Sequence, residues 1–295
     1  MNVVTRLSGG LGNQLFQYAA ARRLALAHRR PLVLDLNWYH DTPAGSTPRR
    51  ELLSKLRIVA SFADSGGDPT TLAPPARGLW ARLVGPVKVI RERTPFRHDP
   101  RLDAAPGSRS LYLDGYWQCF RYFEAARDAL LDEIRPQRAS DPRYDEVAAQ
   151  IDASVSVMLH IRRGDYVHSG TAAPVHGALP LSYYERALAL VRSRHAAPTV
   201  FVFSDDIAWA REHLRTGVAT VFVDNAQRED AVIDELMLMC RCRHQIIANS
   251  SLSWWAAWLN RSADKMVTAP QRWLSTAPVE LVALIPPQWQ VLPID

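Results

Sequence analysis

Residues 155–166 read VSVMLHIRRGDY, an apolar run that ends in His160, Arg162, Arg163 and Asp165. Arginine stays charged at any working pH and presents a planar fork that matches the oxygens of a phosphate or a carboxylate. Two chemistries fit such a cluster: a structural knot of ion pairs, or a site for an anion. Neighbouring side chains on a strand point to opposite faces. Arg162 therefore shares a face with His160 and is the candidate anion ligand. Arg163 is the candidate brace, paired with a carboxylate such as Asp165.

Three other segments carry polar groups of the same kind. In SGGLGNQ (8–14), Gly9, Gly10 and Gly12 permit positive φ and let a ligand approach the backbone. A helix beginning directly after them turns its free N–H groups toward that ligand, and Asn13 and Gln14 add amides. The spacing is not GxGxxG and no phosphate-loop Lys-Ser/Thr follows, so a plain strand-to-helix turn remains open. In FSDD (203–206), Asp205 and Asp206 suit a metal ion, the hydroxyls of a ribose or the N–H groups of a base. Equally, one of them suits the cap of a helix through IAWAREHL. In NSSLSWWAAWL (249–259), Ser250 or Ser251 is a natural helix N-cap, and hydroxyls there either cap the helix or hold a phosphate. Trp254 and Trp258 stand four apart on one helix face, which reads as core packing.

These segments need elements to hold them. Apolar, β-branched runs occur at 2–7, 31–36, 110–117, 155–161, 199–203, 219–223, 244–248 and 265–269, and segments of helical period separate most of them. The runs are apolar throughout, as expected of parallel strands covered on both faces. Strand alternating with helix predicts parallel sheets of Rossmann type. In such sheets ligands bind beyond the carboxyl ends of the strands, and that is where nearly every run discharges into small or charged polar residues. The Gly- and Pro-rich stretch 61–109 reads as loops and short helices, and the tail IPPQWQVLPID as irregular. A soft segment, IRPQRASDPRYD (134–145), marks the break between a domain over 1–140 and one over 141–295.

Composition removes several classes. The 295 residues carry a net charge of +5 without any run of five like charges, so a nucleic-acid-binding arm is not indicated. Three cysteines give no disulfide framework, and Cys240 and Cys242 lack a second Cys/His pair at metal-ligand spacing. No stretch of about 18 apolar residues occurs, and the N-terminus lacks the pattern of a signal peptide. The expectation is a cytoplasmic, reduced protein. Its basic charge suits an anionic small molecule or an anionic membrane face.

With these residues in view, the chain resembles a known family. The segments SGGLGNQLFQYA (8–19), DGYWQCFRYF (114–123), VMLHIRRGDY (157–166), FVFSDDIAW (201–209) and CRHQIIANSSLSWWAAWLN (242–260) look like those of the bacterial α-1,2-fucosyltransferases. The resemblance implies an inverting, metal-independent enzyme that uses GDP-fucose. It implies an α/β, GT-B-like architecture of two Rossmann-type domains with parallel sheets facing a cleft. The N-terminal domain would take the glycan acceptor and the C-terminal domain the donor. Carried over by position, Arg162 matches the arginine on the donor β-phosphate and His160 a position near the nucleotide. Asp205 and Asp206 match the acidic pair of the donor domain, Ser250 and Ser251 (beside Asn249) the hydroxyls at the phosphate-side helix start, and Asn13 (beside Gly10) an amide reaching the donor. Cys119 stands where serine is frequent. Two carboxylates are candidates for the general base, Asp165, which its arginine neighbours weaken for that task, and Asp114. The implied partners are GDP-fucose and a galactose-containing glycan, which a lipid can present at the inner membrane face, and no nucleic acid.

The rival within enzymes is another linkage or another GDP-sugar. The rival of another class is a carbohydrate-binding protein using its nine tryptophans as sugar platforms. It leaves HIRRGDY and the glycine turn unexplained.

Overall fold

The structure is a computed structural model that describes residues 1–40, 49–64, 87–104, 107, 109–163, 177–224, 230–274 and 281–294. The chain divides into two compact units, Met1–Gln137 and Arg138–Asp295.

The first unit runs β1 (Val3–Arg6), α1 (Leu11–His28), β2 (Leu32–Asp35), α2 (Asn37–His40), β3 (Ser61–Ala63), β4 (Val87–Arg91), β5 (Ser110–Asp114) and α3 (Arg127–Glu133). Its five strands are all parallel, in the order β3-β2-β1-β5-β4. The strand order reverses between β1 and β5, so a topological switch point opens beyond their carboxyl ends. Helix α1 packs on β1 and is buried around most of its circumference, including Leu15, Phe16, Tyr18 and the run Ala19–Ala21. Arg29 ends it in the left-handed region at φ 51, and Arg30 closes the turn onto the Ala25 carbonyl at 2.9 Å.

The second unit runs α4 (Asp145–Asp152), β6 (Ser156–Ile161), α5 (Leu181–Arg192), β7 (Thr199–Ser204), α6 (Ile207–His213), β8 (Thr220–Phe222), α7 (Ala231–Arg241), β9 (His244–Ile246), α8 (Ser251–Leu259), β10 (Val267–Pro270), α9 (Leu281–Leu284) and β11 (Gln290–Leu292). Its six parallel strands order as β11-β10-β9-β6-β7-β8, the doubly wound arrangement whose switch point lies between β6 and β9. All of β6 is buried, as its unbroken apolar run requires.

Every apolar run singled out in the sequence contains a strand. Three further strands form where loops or an irregular tail were expected: β3 and β4 within 61–109, and β11 in the tail. All three lie at sheet edges. An edge strand is covered on fewer sides, so VKVIR alternates with charge and QVL sits among prolines, and neither shows the apolar signature of an interior strand. Among the described residues no helix is long and apolar enough to cross a membrane.

A buried histidine contributes to the pH dependence of the second unit's stability. His244 opens β9 with no solvent exposure, and its Nδ1 accepts the Met266 N–H at 3.1 Å. Burial, reinforced by His195 and Arg243, pushes its pKa down to about 4. The unfolded chain takes up this proton near pH 6.5, and the native state resists it down to about 4. Stability is therefore intact above about pH 6.5 and falls as pH drops toward 4, by up to about 1.4 kcal/mol per unit. The urea midpoint is expected to fall between pH 7 and pH 5, and His244→Gln is expected to flatten that fall. An unchanged slope in the variant would remove His244 as its source.

Candidate functional site

The second unit's switch point gathers the motifs. Arg162 and Arg163 directly follow β6, and the segment Ile247–Ser250 follows β9. Arg162 pairs with Asp205 at 3.0 Å, both side chains about one-fifth exposed. Asp205 also accepts the Arg163 N–H at 2.8 Å. Arg163 pairs with Asp206 at 2.8 Å, and its guanidinium lies 4.5 Å over the Trp209 ring. Asp206 caps α6 by accepting the Trp209 N–H at 3.2 Å.

Asp206 and Trp209 brace Arg163; Asp165, the carboxylate suggested by local sequence, lies outside the described residues. The β7–α6 corner delivers two aspartates side by side, so each arginine meets a carboxylate. Between them they settle the helix-cap alternative in favour of Asp206.

His160 is 4% exposed, and its Nδ1 has no hydrogen-bond partner among the described residues. Burial holds its pKa well below the usual value, with Asp205 opposing and Arg162 reinforcing, so the ring is neutral. A buried polar atom without a partner is rare in a finished core and common at a ligand site.

At the other side of the switch point, Ser250 occupies the N-cap of α8, yet its side chain makes no capping hydrogen bond. The first-turn N–H groups, Ser251 among them, keep their positive end toward the β9 terminus. Asn249 is buried, and its Nδ2 donates to the carbonyls of Gly177 and Trp273 at 3.2 Å each, which ties this corner to its neighbours. Behind it, Trp254, Trp255 and Trp258 are buried as core.

Sequence reasoning missed Glu235, on α7. Burial and Asp234 push its carboxyl up to about 7, with Arg162 pulling it back. Only tertiary packing brings this residue to Arg162. A glutamate within an amphipathic helix reads as a solvated face, so no local signal marks it.

The first unit's switch point carries the glycine turn and the GYWQ turn. Gly9 sits at φ 73, and a Cβ there would lie 2.9 Å from Asn13 Nδ2, so this position requires glycine. Gly10 is the N-cap of α1 at φ −81 and needs no positive φ. The two turns are joined by hydrogen bonds: Gln118 Nε2 donates to Asn13 Oδ1 at 2.9 Å, and Gln17 Nε2 to Ser8 Oγ at 2.9 Å and Gly115 O at 3.3 Å. Asp114 pairs with Arg6 at 3.2 Å and Arg91 at 3.3 Å. A carboxylate between two guanidinium groups is an ion-pair node.

Residues 96–289 match Glycosyl transferase family 11. The chain is 32% identical to the O-antigen biosynthesis glycosyltransferase WbnK of Escherichia coli, over 91% of this chain and 94% of that one. It is 30% identical to an α-1,2-colitosyltransferase of Escherichia coli, over 97% of both chains. It is 27% identical to galactoside α-(1,2)-fucosyltransferase 2 of Sus scrofa, over 85% of this chain and 67% of that one. Among solved structures, a mutant of Arabidopsis thaliana FUT1 in complex with GDP superimposes with a TM-score of 0.51 at 10% identity, covering 88% of this chain and 68% of the other. That likeness is one of fold.

Proposed function

The chain belongs to glycosyl transferase family 11, and on that premise we propose that it transfers L-fucose from GDP-β-L-fucose to the 2-hydroxyl of a galactose-containing acceptor glycan, with inversion. The observation that carries the reading is the second unit's switch point. An arginine held by a carboxylate, a neutral histidine with a buried unpaired nitrogen and an uncapped helix start flank the one crevice where a doubly wound sheet binds nucleotides.

The chemistry asks for two things. Displacement at the anomeric carbon leaves negative charge on the GDP β-phosphate, and the acceptor hydroxyl must lose its proton. Arg162 and the N–H groups at the start of α8, with Ser250 and Ser251, supply the first. His160, Asn249 and Glu235 line the nucleotide side, and Asp205 and Asp206 hold the two arginines rather than the donor. In the first unit, the GYWQ turn, whose Gln118 orients the Asn13 amide, serves the acceptor. A galactoside carried on a lipid at the inner membrane face suits the net charge of +5 and a relative named for O-antigen biosynthesis.

The relative named as a colitosyltransferase supports a second reading, in which the α-1,2 linkage is kept and the donor carries a different sugar. Incubation with GDP-fucose and other GDP-sugars against a panel of galactosides, followed by mass and linkage analysis, decides between them. A fucosyl mass gain at the 2-position supports the first reading, a gain from another GDP-sugar alone supports the second, and no gain with glycan binding intact returns the protein to the carbohydrate-binding class.

The reaction is expected to need no metal, because Asp205 and Asp206 are each neutralised by an arginine and the leaving diphosphate meets Arg162 instead. Activity in excess chelator should stay within about twofold of the untreated enzyme, since losing an electrostatic group at the leaving oxygen costs about 100-fold or more. A loss that magnesium or manganese restores would reassign the two aspartates as metal ligands.

A further inference from the structure

Eight tyrosines lie among the described residues, and six of them are buried. The two that are not, Tyr39 and Tyr116, both stand at the carboxyl edge of the first sheet. Tyr39 is in α2, directly behind β2, and Tyr116 is in the GYWQ turn, directly behind β5. Tyr116 is 40% exposed. Trp38, half-buried, meets the Tyr39 ring edge-on at 5.1 Å. The Tyr39 hydroxyl donates to the Gly9 carbonyl at 3.1 Å, and Gln118 donates to Asn13 of the same glycine turn. Burial pushes the Tyr39 phenol up, with Glu51 and then Tyr116 adding to it, so the two phenols are electrostatic neighbours. The turns behind β1, β2 and β5 therefore meet at the first switch point, where an open parallel sheet takes its ligands.

A single exposed tyrosine is ordinary on a surface, but the backbone that carries Tyr116 is fixed from several sides. Glu92 directly follows β4, and its N–H donates to the Asp114 carbonyl at 2.9 Å, extending the β4–β5 ladder past the strands. Its carboxylate accepts the Tyr116 N–H at 2.8 Å and the Trp117 N–H at 3.1 Å. A Cβ on Gly115 would lie 2.4 Å from the Glu92 Cβ, so only glycine leaves room for this post. Trp117 adopts φ 56, a conformation a bulky residue holds only when its surroundings enforce it. Its ring is buried, edge-on to Tyr122 at 6.0 Å, and anchors the turn from beneath. The charges of the turn compensate each other: the carboxylates of Asp114 and Glu92 stand against Arg6 and Arg91, and the Asp114–Arg6 pair is partly exposed. The second switch point offers an anion site at Arg162. The first offers an ordered aromatic face beside balanced donors and acceptors.

We propose that Tyr116 is the platform on which a neutral pyranose ring of the acceptor glycan stacks, with the Asp114–Arg6 pair taking up hydroxyls at its rim. One face of a pyranose presents C–H groups, which suit the face of an aromatic ring, and its edge presents hydroxyls. Adjacent hydroxyls can donate to a carboxylate and accept from a guanidinium at once, as the Asp114–Arg6 pair requires. Every group used belongs to the first unit. The proposal rests on the transferase reading above and names the ring that holds its acceptor.

The test compares the wild-type full chain with Tyr116→Ala and Tyr116→Phe, and with Phe62→Ala, which removes an exposed ring of β3 (39% exposed) outside the subsite. Acceptor KM is measured at saturating donor with a galactoside of the panel above that accepts sugar. GDP affinity and the thermal unfolding midpoint are measured on the same preparations. Tyr116→Ala should raise the acceptor KM about tenfold or more, with GDP affinity and unfolding midpoint kept. Tyr116→Phe, which keeps the face of the ring, should recover most of that loss, and Phe62→Ala should show none of it. A rise of less than about threefold for Tyr116→Ala, well below the worth of a stacked ring, overturns the proposal. So does a rise that Phe62→Ala shares, or one that comes with a lowered unfolding midpoint. Wild-type protein that transfers no sugar from any GDP donor would sink the transferase reading, and saturation-transfer NMR with lactose then decides the subsite by itself. A lactose signal present with wild type and lost with Tyr116→Ala supports it; a signal absent from wild type, or equal in both, overturns it.

Discussion

Arg162→Ala is expected to lower kcat for sugar transfer by about 100- to 1000-fold, the usual cost of deleting one electrostatic donor at a developing anion. The geometry gives the loss two parts. The leaving β-phosphate loses its counter-charge, and Asp205, now without the guanidinium 3.0 Å away, faces the incoming diphosphate as a like charge. Arg162→Lys keeps the charge but not the planar fork that spans carboxylate and phosphate together, so it should recover only part of the rate. The double variant Arg162→Ala/Asp205→Asn should exceed Arg162→Ala alone, because the repelling carboxylate is gone. Arg163→Ala provides the contrast. Its partners are Asp206 and the Trp209 ring, so its cost should appear in the unfolding midpoint before it appears in kcat. The assay is steady-state transfer with GDP titration and thermal unfolding in parallel. An Arg162→Ala enzyme retaining more than a tenth of wild-type kcat would remove Arg162 from the leaving-group site.

The sequence carries the interior of this fold more plainly than its margins. A strand buried on both faces writes itself as an unbroken apolar run, and so β1, β5, β6 and β9, the four strands that border the switch points, are all legible. Because polar chemistry collects where such runs end, the position of Arg162, His160, Asn13 and Ser250 is legible too. Edge strands lack that signal, and β4 was lost among loops together with Glu92 at its end. Partner choice is a different matter. Strand alternation tells which face Arg163 takes, but the carboxylate that meets it comes from Asp206, 43 residues away. Nothing local distinguishes it from Asp165. Glu235 was hidden for the same reason, since its approach to Arg162 exists only once α7 packs beside the sheet.

Trp254→Ala is expected to destabilise the second unit by about 3–5 kcal/mol, the range for removing a buried aromatic that cannot be replaced by collapse. Trp254 is fully buried, with its ring edge-on to Trp255 at 5.2 Å, stacked on Trp258 at 6.3 Å and tilted against Trp289 at 5.4 Å. Its Nε1 donates to the Leu284 carbonyl at 2.8 Å, so truncation also strands a buried acceptor. A loss of that size is a large share of the stability of an ordinary domain. It also decides between functional classes. Of the eight described tryptophans, six are buried (Trp117, Trp254, Trp255, Trp258, Trp273 and Trp289), which spends them on the interior and not on a sugar platform. If the start of α8 meets the donor phosphate as proposed, loosening its core should also raise the KM for donor. Urea unfolding of wild type, Trp254→Ala and Trp254→Phe measures the first effect, with phenylalanine expected to restore part of the loss. A Trp254→Ala protein with its unfolding midpoint unchanged but glycan binding lost would show that the ring meets sugar directly, and the carbohydrate-binding alternative would then regain the ground that HIRRGDY took from it.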